Sequence, residues 1–252
     1  MNNNLKEYKK VSDIFGNNDS IKFMNHGYYP IHKFSEDLEC ESKYESSLYF
    51  YLLDFYKNNT NSKKILDIGC GRDGGIYYLN KKYNFLESHA IDICKENIEF
   101  CRTIYLNSNI KFLVQDAVNL KYEKNYFDII LNVESSHCYK SRIMFFNESF
   151  KILKKDGYFL YTDTVPNQKV ADSIFEYLRS KYRNVIVNDI TKNVCQSCYN
   201  LKNDLLKNKK INDDAFDYLI NIFESKYLLY KNKKSLYFSY ICHDKQFDYS
   251  YF

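Results

Sequence analysis

Tryptophan is absent from this sequence, proline occurs twice and glycine only seven times in 252 residues. That length is about 1.7 times a typical domain, which excludes a collagen, a disulfide miniprotein and a short disordered tail. One large globular domain, or one domain carrying a sizeable insertion, is expected. No run reaches the ~18 uninterrupted apolar residues of a membrane span, so no integral membrane segment is expected. The charged N-terminal residues have no apolar stretch behind them, which argues against a secretory signal. Eight cysteines, at 40, 70, 94, 101, 138, 195, 198 and 242, lack the density of a disulfide framework and read as reduced thiols of a cytoplasmic protein. Cys195 and Cys198 form one C-x-x-C with no second pair at matching spacing. They read as two cysteines one helical turn apart, and no metal site is expected. Charge is nearly balanced, with 36 Lys plus Arg against 32 Asp plus Glu, and the basic residues form no stripe. The runs Lys207 to Lys210 and Lys231 to Lys234 are broken by Asn and read as solvated helix ends or loops, so nucleic acid is not an expected partner.

What the chain does have is 26 Tyr and 19 Phe, enough apolar area for a large core. It also spends four of its seven glycines, Gly69, Gly71, Gly74 and Gly75, within seven positions. From residue 64 onward short apolar runs alternate with segments of helical period, the pattern of strand, helix, strand units on a parallel sheet. The strands are expected at Lys64 to Gly69, Ser88 to Ile93, Ile110 to Asp116, Phe127 to Glu134, Tyr158 to Asp163, Val185 to Ile190 and Ser235 to His243. In the helix before the fifth strand, Ile143, Phe146, Phe150 and Leu153 recur at spacings of three and four, with Gly157 as its stop signal. The expected fold is α/β, a Rossmann-like, mostly parallel seven-stranded sheet with helices on both faces. Residues 1–60 read as an N-terminal helical lid, 61–191 as the core, 192–233 as a helical cap insertion and 234–252 as the last strand and tail.

The run Ile65-Leu66-Asp67-Ile68-Gly69-Cys70-Gly71-Arg72-Asp73-Gly74-Gly75 is a strand, a glycine turn and a helix start. Alone it satisfies the dinucleotide pattern G-x-G-x-x-G, with Asp92 about 20 residues on as the ribose acid. Asp67 speaks against a pyrophosphate, because a carboxylate two residues before the first glycine repels it and suits a cation. Asp67, Asp92 and Asp116 each fall at or near a strand end, so all three face the carboxyl edge where open α/β sheets bind ligands.

These features resemble the successive motifs of class I S-adenosylmethionine-dependent methyltransferases: LDIGCG, Asp92 after His89-Ala90-Ile91, Gln115-Asp116-Ala117, and Tyr126-Phe127-Asp128-Ile129-Ile130. The resemblance implies that Asp67 holds the methionine ammonium, directly or through water. Gly69, Cys70 and Gly71 would form the cofactor turn. Asp92 would take the ribose hydroxyls, Ile93 would pack on adenine, and Asp116 with the Ala117 amide would read the adenine edge. Asn132 is placed with the cofactor residues, and Tyr28, with Tyr29, in a lid over it.

After the fourth strand, Asn132-Val133-Glu134-Ser135-Ser136-His137-Cys138-Tyr139 brings a Glu and a His to the same edge. The run resembles the Val-Glu-x-Ser-His-Cys-Tyr segment of a small-molecule subgroup that includes phthiotriolone ketone methyltransferases and macrolide sugar O-methyltransferases. Phe23-Met24-Asn25-His26-Gly27-Tyr28-Tyr29 resembles the subgroup's N-terminal element, with Tyr29 in place of Trp, and Asp189 to Val194 resembles a further element. The expected function is O-methylation of a small-molecule or lipid-like acceptor, with His137 as general base and Glu134 orienting it or the acceptor. N- or C-methylation is the alternative, ahead of a nucleic acid methyltransferase, a metal-assisted O-methyltransferase using Asp163, or a non-catalytic binding protein. His26 is expected to line the entrance.

Overall fold

A computed structural model of the protein describes residues 3–16, 18–36, 42–208 and 211–246; Cys40, Lys209 and Lys210 lie outside them. The chain opens with helices α1 (Asn3–Phe15), α2 (Lys33–Glu36) and α3 (Lys43–Leu53). The alternation expected from residue 64 follows: β1 (Lys64–Ile68), α4 (Gly74–Lys82), β2 (Glu87–Asp92), α5 (Lys95–Ile104), β3 (Ile110–Val114), β4 (Phe127–Val133) and α6 (Arg142–Ile152). It continues with β5 (Leu153–Val165), α7 (Gln168–Arg179), β6 (Tyr182–Asp189), α8 (Thr191–Lys207), α9 (Asp213–Lys231) and β7 (Leu236–Lys245). The strands form one sheet in the order β3-β2-β1-β4-β5-β7-β6. Only β7 runs against its neighbours. This is the Rossmann-like α/β sheet that the sequence pattern implies.

Alternate strand residues feed two cores, one on each face of the sheet. Ile65, Ile129 and Leu131 pack with Leu48 and Phe50 of α3, Ile76 of α4 and Ile98 of α5. Leu66, Ile130 and Phe159 pack with Phe145 and Phe146 of α6 and Ile174 and Leu178 of α7. The central strand β4 is buried along its whole length, which is why it reads as a continuous apolar run rather than an alternating one.

Two local expectations are corrected. The fifth strand starts at Leu153, not Tyr158, because Phe127 pairs with Leu153 and Ile129 with Tyr158, leaving the residues between as a bulge. Gly157 belongs to that bulge rather than to a helix stop: a Cβ there would lie 2.7 Å from the Leu153 side chain and 3.0 Å from the Asp128 carbonyl. In α6, Phe146 and Phe150 face the core but Ile143 is 55% exposed. Ser141 caps this helix by accepting the Met144 N–H, and with that start Phe145 becomes the first inward residue.

One buried side chain does much to fasten the N-terminal segment to the glycine turn. Arg72 is 1% exposed, lies 3.4 Å over the Phe100 ring, and donates to the carbonyls of Ile21 at 2.6 Å, Asn18 at 2.7 Å and Gly16 at 3.0 Å. Burial pushes its pKa down to about 10, which leaves it charged at neutral pH. Its fork geometry satisfies three carbonyls that no helix or sheet would satisfy. Replacing Arg72 by Ala is expected to lower the unfolding free energy by roughly 3 kcal/mol, since hydrogen bonds to a buried charge are the strong ones. Urea denaturation measures this, and a loss below about 0.5 kcal/mol, the range of ordinary surface changes, would show that the clamp holds nothing.

Candidate active site

The chain leaves β1 toward β2 on one side and β4 toward β5 on the other, so their carboxyl ends flank the crevice that such a reversal of strand order opens. A cavity of about 230 Å³ lies there. Its walls are the glycine turn after β1, the ends of β2 and β3, residues 133–135 and 137–140 after β4, residues 22–26, and Tyr218, Ile222 and Lys226 of α9. The turn and the loop after β4 are in direct contact. Gly69 sits at φ +73°, and a Cβ on it would lie 2.4 Å from both the Ser135 and Tyr139 hydroxyls.

Of the residues expected on the cofactor side, Gly69, Cys70, Gly71, Asp92, Ile93, Asp116 and Ala117 line this cavity. Asp92 accepts the Gly71 N–H at 2.9 Å and the Cys94 N–H at 2.7 Å. Burial raises its pKa, and these backbone donors oppose the rise. Asp116 accepts the Val118 N–H at 3.0 Å and stays exposed. Ile93, 43% exposed, offers an apolar face at the wall.

Three expected residues stand elsewhere. Asp67 is wholly buried outside the lining; burial pushes its pKa up to about 7, with the nearby Tyr49 hydroxyl opposing, and neither carboxylate oxygen meets a partner at full hydrogen-bond geometry. Asn132 is also buried outside the lining. Its amide nitrogen lies 2.7, 2.7 and 2.9 Å from the Ile68 carbonyl, the Ser135 hydroxyl and the Tyr139 hydroxyl, and its two N–H bonds tie the two loops together. Tyr28 is not a lid over the cavity. Its ring stacks on Tyr51 at 4.5 Å, Tyr29 is 43% exposed, and the wall is made by the residues before them, Phe23 to His26.

At the far end of the cavity Glu134 and His137 both line the wall, but they belong to separate networks. His137 Nδ1 lies 2.7 Å from Asp163 Oδ1, and the His137 N–H donates to Asp163 Oδ2 at 2.8 Å. Asp163 is completely buried in β5, while the His137 side chain is 29% exposed. Asp163 also accepts hydrogen bonds from the Ser136 hydroxyl and the Thr164 N–H, with Arg142 at 3.8 Å. Burial alone would lower the His137 pKa; the Asp163 charge and hydrogen bond outweigh it and raise the value to about 10. Burial likewise works against the Asp163 carboxylate, and the His137 charge overcomes it, so its pKa is lowered.

Glu134 does not orient His137. It sits at φ +51°, accepts the His26 N–H and the Tyr237 hydroxyl, each at 2.8 Å, and pairs with the His26 ring. His26 also meets the Tyr230 hydroxyl at 3.1 Å. It is 6% exposed and so forms inner wall rather than entrance. Burial lowers the His26 pKa, and the resulting neutral ring can donate to the Glu134 carboxylate. Asp163 as the partner of His137 is what the sequence reading missed. Its signal was there: Thr162-Asp163-Thr164 is a polar run inside a strand that the flanking pattern marks as buried.

A model of the methyltransferase domain matches residues 66–161. A fatty-acid O-methyltransferase of Mycolicibacterium smegmatis is 30% identical over 185 residues, covering 70% of this chain and 68% of its own. A phthiotriol/phenolphthiotriol dimycocerosates methyltransferase of Mycobacterium tuberculosis is 30% identical over 155 residues, covering 61% of this chain; the match spans 57% of that relative's length. Among solved structures, the [4+2]-cyclase SpnF superposes with a TM-score of 0.72 at 15% identity, over 95% of this chain and 94% of that one. A Haemonchus contortus phosphoethanolamine N-methyltransferase 2 bound to S-adenosylhomocysteine gives 0.70 at 16% identity, over 79% and 52%. At these identities the structures speak for the fold alone.

The ion pair carries a pH signature. His137 has its pKa raised on folding, so its contribution to stability is complete below about 6.5, the unfolded value, and is lost as pH rises through about 10. Asp163 has its pKa lowered, so its share is present above the unfolded value and lost as pH falls through the folded one. NMR titration of the imidazole should find His137 protonated well above pH 7, and Asp163→Asn should bring its pKa down below 7. A midpoint near the free-histidine value in the unsubstituted protein would contradict the pairing.

Proposed function

The chain belongs to the S-adenosylmethionine-dependent methyltransferases, and from that premise we propose that it methylates a hydroxyl of a small or lipid-like molecule, with His137 as general base. The observation that carries this reading is the His137–Asp163 pair: a ring at the cavity wall, held through Nδ1 by a fully buried carboxylate. With Nδ1 so engaged, Nε2 takes a proton from an acceptor hydroxyl once the ring has lost its own, in a fraction of molecules that grows as pH rises toward about 10. Asp163 fixes the ring and stabilises the imidazolium that forms. The names of the relatives, a fatty-acid O-methyltransferase and a phthiotriol/phenolphthiotriol dimycocerosates methyltransferase, support a lipid-like acceptor.

The cofactor, when bound, supplies a methyl group on a sulfonium that needs no further activation. The residues present fit it. The orphaned, buried carboxylate of Asp67 suits the amine of the methionine part through an intervening group or water. Asp92 is poised for the ribose hydroxyls, Ile93 and Ala117 for the faces of the adenine, and Asp116 with the Ala117 amide for its edge. The backbone at Gly69, Cys70 and Gly71 leaves room for close approach. Asn132 acts through Ser135 and Tyr139 as a positioning residue. Glu134, committed to His26 and Tyr237, shapes the acceptor end rather than moving a proton. The described parts of residues 1–60 serve as lid and those of 192–233 as cap around the Rossmann-like core, in a protein we assign to the cytoplasm.

A second reading, methylation of a carboxylate to an ester, is favoured by one observation. A His137 that stays protonated at neutral pH, with Lys226 on the same cavity, gives the acceptor end cations, and a carboxylate arrives already deprotonated. The two differ in pH dependence. With a hydroxyl acceptor, turnover climbs with pH as His137 loses its proton toward about 10, and any further cation entering the cavity moves that limb to lower pH. With a carboxylate the profile is flat over that range.

For the hydroxyl reaction, His137→Ala is expected to lower kcat by about a hundredfold or more while the Kd for S-adenosylmethionine changes little. Asp163→Asn should lower kcat and shift the rising limb to lower pH. Steady-state kinetics against calorimetric cofactor binding measures both, and unchanged turnover in the His137 variant would remove it from the mechanism.

A further inference from the structure

A second cavity, of about 510 Å³, lies beside the first and is more than twice as large. It lies between the 20–23 segment, the start of α3, and the cap helices α8 and α9, and opens to solvent. The two cavities meet at Lys22 and Phe23, which line both. Helix α9 serves both by its period: Tyr218, Ile222 and Lys226, four apart, face the reaction cavity, and the adjoining stripe of Leu219 and Phe223 faces the second. The first cavity, at about 230 Å³, falls below the ~300–1,000 Å³ of ordinary ligand sites. An acceptor with a long chain would therefore extend out of it.

The geometry points to the second cavity as the binding site for the apolar chain of the acceptor, whose reactive oxygen lies in the first. Its inner wall is hydrocarbon: Ile31, Leu201, Leu205, Ile211, Leu219 and Phe223. Its charged and polar members Lys43, Asp204 and Asn208 are exposed and sit at the mouth. Ser42, Tyr44 and Glu45 add polar groups to that wall, and of these Glu45 is the carboxyl. Burial pushes its pKa up to about 8, so at neutral pH it is mainly the uncharged acid and does not repel an apolar chain. Its Oε2 has no hydrogen-bond partner, which leaves a contact for a polar substituent on the chain. Passage between the cavities runs past Lys22, whose flexible four-carbon stem can swing aside and lie along the chain. This inference rests on the lipid-like reading of the acceptor above.

The test separates the two. Binding of cis-parinaric acid, a fluorescent long-chain fatty acid, is measured without turnover, on the full chain, in the unsubstituted protein and in Leu205→Trp and Asn208→Trp. The first variant fills the cavity and the second narrows its mouth at an exposed position, so the fold is not at stake; unchanged S-adenosylmethionine affinity verifies this. Each variant should weaken parinaric acid binding about tenfold or more, the loss expected when a few methylenes are shut out. KM should rise likewise for hexadecyl acceptors and stay constant for butyl ones. Undiminished parinaric acid binding in both folded variants, or equal effects on short and long acceptors, would overturn the assignment. Chain binding that responds to the variants without methyl transfer to any oxygen acceptor would instead leave the chain site standing and sink the O-methylation reading.

Discussion

A charge buried on purpose holds this site together. Removing the Arg72 guanidinium from water costs several kcal/mol, and the fold recovers it through three carbonyl acceptors and the face of Phe100. Those carbonyls belong to the segment just before Lys22 to His26, which walls the cavity. The clamp is joined by the Gly74 N–H, which donates to the Lys22 carbonyl at 2.9 Å, and by the His26 N–H on Glu134. With these contacts, residues from before the sheet close over the carboxyl ends of β1 and β4. Everything the cavity does depends on that closure, because electrostatic interactions inside gain strength only where water is kept out.

Inside the enclosure, two histidines are given opposite states by their surroundings. His26 is buried, its pKa lowered, and its ring is spent on the Glu134 carboxylate. His137 is partly open to the cavity, its pKa raised to about 10 by a carboxylate that burial alone would have neutralised. The first arrangement builds wall; the second leaves a charged ring, held through Nδ1, on the cavity. The difference comes from neighbours, Glu134 with Tyr237 and Tyr230 for one, Asp163 with Ser136 and Arg142 for the other.

The strand and helix alternation, the glycine turn, and the acids at 92 and 116 were legible in the residues because each is a local signal tied to a strand end. The cavity wall contributed by residues 22–26 was legible only as a motif, and its reading favoured Tyr28, two residues too far along. A tyrosine that stacks on Tyr51 and one that covers a cofactor look alike in sequence. Of the two roles expected for Glu134, contact with His137 is absent for a similar reason. Proximity along the chain to His137 suggested a partnership, whereas its positive φ turns the side chain toward His26, 108 positions away. Asp163 reaches His137 across two adjacent strands, and the β4–β5 register that aligns them is set by packing that no local pattern encodes. The bulge before Tyr158 was hidden for the same reason, since Gly157 serves equally as a helix stop and as a point of close approach.

The central claim is that methyl transfer ends on oxygen, in front of His137. Incubating the enzyme with hydroxylated lipids and S-adenosylmethionine carrying a carbon-13 methyl, then reading the product by carbon NMR, tests it directly. The label is expected as a methoxy carbon on the acceptor, and a label on nitrogen or on carbon would rule out oxygen as the acceptor atom.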